Sequence, residues 1–428
     1  MTPEQTLRAH DAQFEKKVHA LSDRAFLAVG YAASNVGMIV GEDGLIVIDT
    51  TESTKAAENV LSAFRAITDK PVRTILYTHS HRDHISGATV FAEGREVEVL
   101  AHPGFDSDLV GAADRPGPGQ ALMARTARQF GIGLAQGTER INLGLGPGDR
   151  PMEGLGAGHL PPTGFIQTDG EALERCGVTL RTAFAPGECG DTVAVFLEEE
   201  KLLFPADNFY HGFPNLYAIR GTPYRDFDLW ADSLAKLSAF GAEVLAPGHT
   251  QPVFGAEAVA ERLGDYEAAI RWIVAETAAG MNAGLTPDEL VLRVRLPRTL
   301  AAKPWLQEFY GTVEWAVRAY FAGTLGWFDG DPATLFPLPP RAEAERMARL
   351  AGGPEALRAA AEAAMAEGDA QWALELAGRV LRLDPADARG RAVRVDALRA
   401  LAAAQSNACA RNCFLLTAKQ ETAGAGLT

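Results

Sequence analysis

The chain has 428 residues, 47% hydrophobic and 22% charged, the proportions of a globular protein large enough for two or three domains with full cores. A net charge of −15 without any long basic run excludes nucleic acid as a partner, and no stretch of about eighteen residues is apolar throughout, which excludes a membrane-spanning helix. Four scattered cysteines exclude a disulfide framework, and Met1-Thr-Pro-Glu-Gln lacks the basic-then-apolar pattern of a secretory leader, so a soluble cytoplasmic protein is expected.

In chain order, Ala25–Val29, Asn35–Val40 and Leu45–Asp49 read as strands, the last two joined by the turn Gly41-Glu-Asp-Gly44. Ala57, Val60, Leu61 and Phe64 have helical spacing within Thr54–Ile67, which Pro71 closes. Val72–Tyr77 is an apolar strand, and Glu96–Ala101 is another. Strand, helix, strand, turn and helix together predict an α/β layout. Residues 111–164 are rich in Gly and Pro, as in Arg115-Pro-Gly-Pro-Gly119 and Gly144-Leu-Gly-Pro-Gly148. They are expected to form a long irregular insertion that walls a substrate cleft. Strands return at Val178–Thr182, Thr192–Leu197, Leu202–Pro205 and Val244–Ala246, with a helix over Arg225–Phe240.

Beyond residue 262 only helical patterns remain, so the chain divides into a catalytic part, 1–262, and an all-α part, 263–428. Pro354–Lys419 is patterned like stacked helix pairs of the tetratricopeptide kind. No second full repeat is clear, and a helical-bundle packing face is the preferred reading.

The chemistry is concentrated in Thr78-His79-Ser80-His81-Arg82-Asp83-His84, directly after an apolar strand. Three of the nine histidines and an aspartate in one turn point to a shared site for Zn²⁺ or a related divalent ion. Three later turns repeat one device, a strand followed by a tight turn with a ligand-type side chain at its tip. They are Ala185-Pro-Gly-Glu188, Phe204-Pro-Ala-Asp207 and Ala246-Pro-Gly-His249. Strand tips at one sheet edge converge, so Glu188, Asp207 and His249 are expected to join the first turn around one site.

In that order these motifs resemble the metallo-β-lactamase superfamily. The resemblance implies an αββα sandwich with a dinuclear metal site at its open edge, here two Zn²⁺ ions. Asp49 matches a structural aspartate that orients the metal turn. Within the superfamily the chain is similar to the type III alkylsulfatases through Thr78–Gly87, Asn215-Leu-Tyr-Ala-Ile-Arg-Gly221 and a glutamate at 188. The helical part resembles that family's dimerisation domain, through Gly326-Trp-Phe-Asp-Gly330 and Leu350-Ala-Gly-Gly353 among others, and this implies a homodimer.

The resemblance assigns His79, His81 and Glu188 to one metal, Asp83, His84 and His249 to the other, and Asp207 to the space between them. It implies a hydrolase that cleaves small-molecule sulfate esters with an apolar alkyl tail by means of a metal-activated hydroxide. Arg220 matches an arginine expected near the sulfate, and a guanidinium fork suits a tetrahedral oxyanion. Asn215 and Tyr217 flank it as further substrate-binding groups. His211 matches a histidine that is either a proton donor or a loop anchor. Asp83 and Asp207 are expected to take part in catalysis.

Two departures weaken the sulfate-ester expectation. Pro214 replaces a histidine, and Phe130-Gly131 replaces a tyrosine before glycine. They leave open a hydrolase of another ester, such as a phosphodiester, lactone or thioester. An iron oxidoreductase is disfavoured by the second-metal residues Asp83, His84 and His249. Cys189, Cys409 and Cys413 are read as packing residues.

Overall fold

The computed structural model describes residues 1–106 and 118–424. Its first sheet has seven strands in the order β1-β2-β3-β4-β5-β6-β7: Lys17–Ala20, Ala25–Val29, Val36–Val40, Leu45–Ile48, Val72–Leu76, Glu98–Ala101 and Gly164–Phe165. The β1–β4 strands pair antiparallel, and β4 to β7 pair parallel. The second sheet has six strands in the order β13-β12-β11-β10-β9-β8. In chain order they are Ala172–Arg175, Val178–Phe184, Val193–Leu197, Leu202–Phe204, Val244–Leu245 and Val253–Phe254.

Strand parity explains why the central strands are apolar on both faces. In β4, Ile46 and Ile48 face the second sheet, while Leu45 and Val47 face the helix Thr54–Arg65 with its buried Val60 and Phe64. In β10, Val193, Val195 and Leu197 face the first sheet. Ala194 and Phe196 face the helices Phe227–Ser238 and Ala256–Asn282, packing with Trp230, Leu234, Tyr266 and Ile270. The result is helix, sheet, sheet, helix, the αββα sandwich expected.

After β13 the described residues hold helices only, and the Pro354–Ala366, Ala370–Leu383 and Ala388–Ala403 helices share their own core around Leu357, Leu376 and Val393. Residue 262 falls inside the helix Ala256–Asn282, which packs on the second sheet. No helix among the described residues is long and apolar enough to cross a membrane.

The expected irregular insertion is corrected in part. Residues 111–117 of it lie outside the described residues, but Gly119–Phe130 is a helix of 12 residues closed by Gly131 in the left-handed region. That helix packs against the helix Ala408–Thr422 from the far end of the chain. Lys419 Nζ donates to Gly133 O (3.0 Å), and Asn412 Nδ2 to Asn142 O (3.4 Å).

Candidate metal centre

Both sheets deliver their ligand-type residues at one edge. The first contributes Asp49 after β4 and the Thr78–His84 turn after β5. The second contributes Glu188 between β9 and β10, Asp207 after β11 and His249 after β12. The Pro-Gly turns need their glycines. A Cβ on Gly187 would run into Asn208 Oδ1, and one on Gly248 into Asp207 Oδ1. Asp49, Ala206 and Thr250 carry positive φ (60°, 58° and 69°), so three non-glycine residues at or beside the ligand positions hold a costly backbone conformation.

The side chains converge on Asp207. Its Oδ2 lies 3.5 Å from His79 Nε2, 3.4 Å from His84 Nε2 and 3.2 Å from His249 Nε2. Asp83 Oδ2 is 3.7 Å from His84 Nε2 and 3.6 Å from His249 Nε2. His79 Nε2 and His81 Nδ1 face each other at 2.9 Å. Three sets of potential ligand atoms each lie within 4.8 Å of one another: His79, His84 and Asp207; Asp83, His84 and His249; His81, Glu188 and Asp207. Among the described residues, His84 Nε2 and Asp207 Oδ1 are buried without a hydrogen-bond partner. Buried polar atoms left unpaired and aimed at a common centre fit divalent cations, and the mixed imidazole and carboxylate donors suit zinc.

The electrostatics agree. Burial opposes charge on His84, yet Asp207, Asp49 and Asp83 outweigh it and hold the imidazole well above its ordinary value. Burial would raise Asp207, but His249, His84 and His79 hold it well below the carboxylate range. This anionic pocket attracts a cation, which must displace a proton to enter. His81 is pushed down by burial, by His79 and by the charges of Arg220 and Arg225.

Neighbouring groups fix the ring orientations. His84 Nδ1 is 2.7 Å from Asp49 Oδ2, and His249 Nδ1 is 2.8 Å from Ala33 O. Ala33 N donates to Glu52 Oε2 (2.8 Å), and Glu52 pairs with buried Arg150 (2.6 Å), so the insertion steadies His249. Glu188 pairs with Arg225 Nη1 (2.9 Å) and accepts from Tyr210 Oη (3.3 Å). Sequence reasoning missed Arg225, Tyr210, Glu52 and Arg150. Arg225 precedes the helix cap Asp226, and nothing in the local pattern marks it as a partner of Glu188.

Arg220 lies close enough to depress His81, and its Nη1 donates to Gly221 O (3.3 Å). In the amide orientation that satisfies both ends, Asn215 Nδ2 donates to Tyr217 O (2.7 Å) and its Oδ1 accepts from Arg225 Nη1 (3.2 Å). Tyr217 therefore meets Asn215 through its carbonyl. His211 is tied to Thr250: its backbone N–H and its Nδ1 each lie 3.1 Å from Thr250 Oγ1. Burial, Arg262 and His10 push it down to about 3, which leaves it neutral near pH 7. Of its two expected roles, this contact fits the loop anchor. Burial likewise pushes the Cys189 thiol up to about 12, so it is an uncharged packing group.

Residues 29–249 match the family described as the metallo-beta-lactamase superfamily, and residues 286–424 match the one described as alkyl sulfatase dimerisation. A linear primary-alkylsulfatase from Pseudomonas sp. is 38% identical over 391 residues, covering 90% of this chain and 73% of that protein. An alkyl/aryl-sulfatase from Saccharomyces cerevisiae is 30% identical over 416 residues, covering 94% of this chain and 63% of its own length. Among solved structures, the stereoselective inverting sec-alkylsulfatase Pisa1 from Pseudomonas sp. superposes with a TM-score of 0.87 at 28% identity, over 96% of this chain and 66% of that one.

Proposed function

The chain belongs to the metallo-β-lactamase superfamily, on its alkylsulfatase branch, and on that premise we propose that it hydrolyses sulfate esters with an apolar tail at a two-zinc centre. The observation that carries the reading is the convergence of His79, His84 and His249 on Asp207 within 3.5 Å, beside a loop bearing Arg220. His79, His81 and Glu188 would hold one ion, Asp83, His84 and His249 the other, with Asp207 between. When bound, such a pair supplies an acidified water and screens an approaching anion.

The protein's own groups do the rest. Arg220 offers its fork to the sulfate oxygens. Asn215 ties Tyr217 to Arg225 and so holds that loop in shape. Arg225 and Tyr210 keep the Glu188 carboxylate fixed in place, at the cost of burying an arginine that is only 4% exposed. Asp83, with 30% of its side chain exposed, is the site carboxylate open to solvent, and we assign it the outgoing proton.

The helical part is assigned to pairing two copies of the chain. Support comes from the match over residues 286–424 and from the exposed Trp327 (73%), Phe336 (89%) and Leu350 (85%). A cytoplasmic location is proposed as well, supported by four cysteines that are all unpaired.

A second reading is favoured by Pro214 and Phe130. Both stand where the resemblance called for polar side chains, and their absence suits an ester whose leaving group needs no proton. Hydrolysis of sulfate, phosphate and carboxylate esters by zinc-loaded protein decides between the two. Preferred turnover of an alkyl sulfate with two zinc ions per chain supports the first reading, and preference for another ester class overturns it.

A further inference from the structure

We propose that the helix Gly119–Phe130 is the positioning device for the anion-binding arginine: Gln129, with Arg125 one turn earlier, clamps the Ile219–Arg220 peptide and thereby sets where the Arg220 guanidinium points. The inference rests on the reading of Arg220 given above.

Arg220 lies between Asn208 and Phe227, a segment without helix or strand to hold it. A side chain on such a loop is placed only as well as its backbone. Here the backbone polar groups are taken up by one face of one helix. Gln129 Oε1 accepts from Arg220 N (2.9 Å). Arg125 Nε donates to Arg220 O (2.9 Å) and Ile219 O (3.2 Å), and its Nη2 donates to Ile219 O (2.7 Å).

Residues four apart share a helix face, so both side chains reach the same peptide. Gln129 is fully buried, and its other end donates to Tyr310 Oη (3.2 Å). Tyr310 is itself 4% exposed and packs with Tyr210 and Cys409. The amide therefore joins the insertion, the anion loop and the helical part of the chain. A buried glutamine persists only where both ends are satisfied, and here one end is spent on the arginine's own N–H.

Three variants test this on metal-loaded protein: Gln129→Met, which keeps volume without the amide, Arg125→Ala at an exposed position, and Arg220→Ala as reference. Titration with inorganic sulfate is expected to show Gln129→Met binding about tenfold more weakly, the value of one buried hydrogen bond. Arg125→Ala is expected to shift in the same direction by about threefold. Bound metal should stay at the wild-type level, KM for an alkyl sulfate should rise more than kcat falls, and the Arg220 amide should exchange faster with deuterium.

If Arg220→Ala loses sulfate affinity while Gln129→Met and Arg125→Ala keep it, the clamp is wrong and the anion-loop reading stands. If Arg220→Ala keeps full affinity, both fall. Should Gln129→Met fail to fold, Arg125→Ala decides alone.

Discussion

Asp49 holds His84 from behind: its Oδ2 sits 2.7 Å from His84 Nδ1, while Oδ1 accepts the Thr78 N–H at 2.8 Å. One carboxylate thus spans the metal turn from its first residue to its last and fixes which imidazole nitrogen faces the cluster. Asn tolerates the left-handed backbone that Asp49 adopts (φ 60°), so Asp49→Asn removes the charge while keeping the turn. Metal affinity is expected to fall about 10–100-fold, measured by chelator competition, with little change in melting temperature of the metal-free protein.

His81 supplies a ligand atom to the set shared with Glu188 and Asp207. His81→Ala is expected to abolish ester hydrolysis and to lower bound zinc toward one ion per chain. Elemental analysis and single-turnover assays check both, and full turnover by the variant would put the chemistry elsewhere.

Arg220→Ala should depress kcat/KM for sulfate esters by about 10²-fold, the worth of a charged hydrogen-bonding partner, and far less for neutral carboxylate esters. Equal losses on the two substrate classes would remove Arg220 from anion recognition.

His10 predicts acid sensitivity. Its ring stacks on Phe309 at 3.9 Å, its Nε2 lies 2.9 Å from Gly144 O, and burial lowers its pKa from 6.5 to about 4. Between those values the unfolded chain binds the proton and the folded one does not, so stability rises with pH across the window and is lost as pH falls. The full loss is about 3 kcal/mol. Denaturant titrations from pH 7 to pH 4 should show that dependence in the wild type and a flatter profile in His10→Phe.

Trp327 and Phe336 are large, apolar and mostly exposed (73% and 89%). Trp327→Glu combined with Phe336→Glu is expected to convert a dimer to a monomer in sedimentation experiments. A wild-type chain that is already monomeric at micromolar concentration would remove the pairing role.

The sandwich was legible because its strands bury both faces. Leu45-Ile-Val-Ile48 and Val193-Ala-Val-Phe-Leu197 can be little else, and each ligand turn announces itself as an apolar run broken by Pro-Gly, Pro-Ala or His. Edge strand Lys17–Ala20 was missed because its ends are exposed and it shows no clean alternation. The helix Gly119–Phe130 was hidden by the Gly and Pro around it, although Gly131 (φ 61°) is a standard helix stop. The groups that hold the ligands were the least visible. Arg225 reaches Glu188, Arg150 reaches Glu52, and Ala33 serves His249 with a carbonyl that any residue would carry. Such partnerships are set by tertiary approach and leave no local spacing to read.

The hydrogen bonds from Asn412 to Asn142 and from Lys419 to Gly133 span 270 and 286 residues of chain. During synthesis the sandwich can form long before the helix Ala408–Thr422 exists, so the helix Gly119–Phe130, already held to Ile219–Arg220 and to Tyr310, gains this further packing partner only late. A nascent chain stalled before residue 408 would therefore hold a formed metal pocket beside a helix that still lacks the support of residues 408–422.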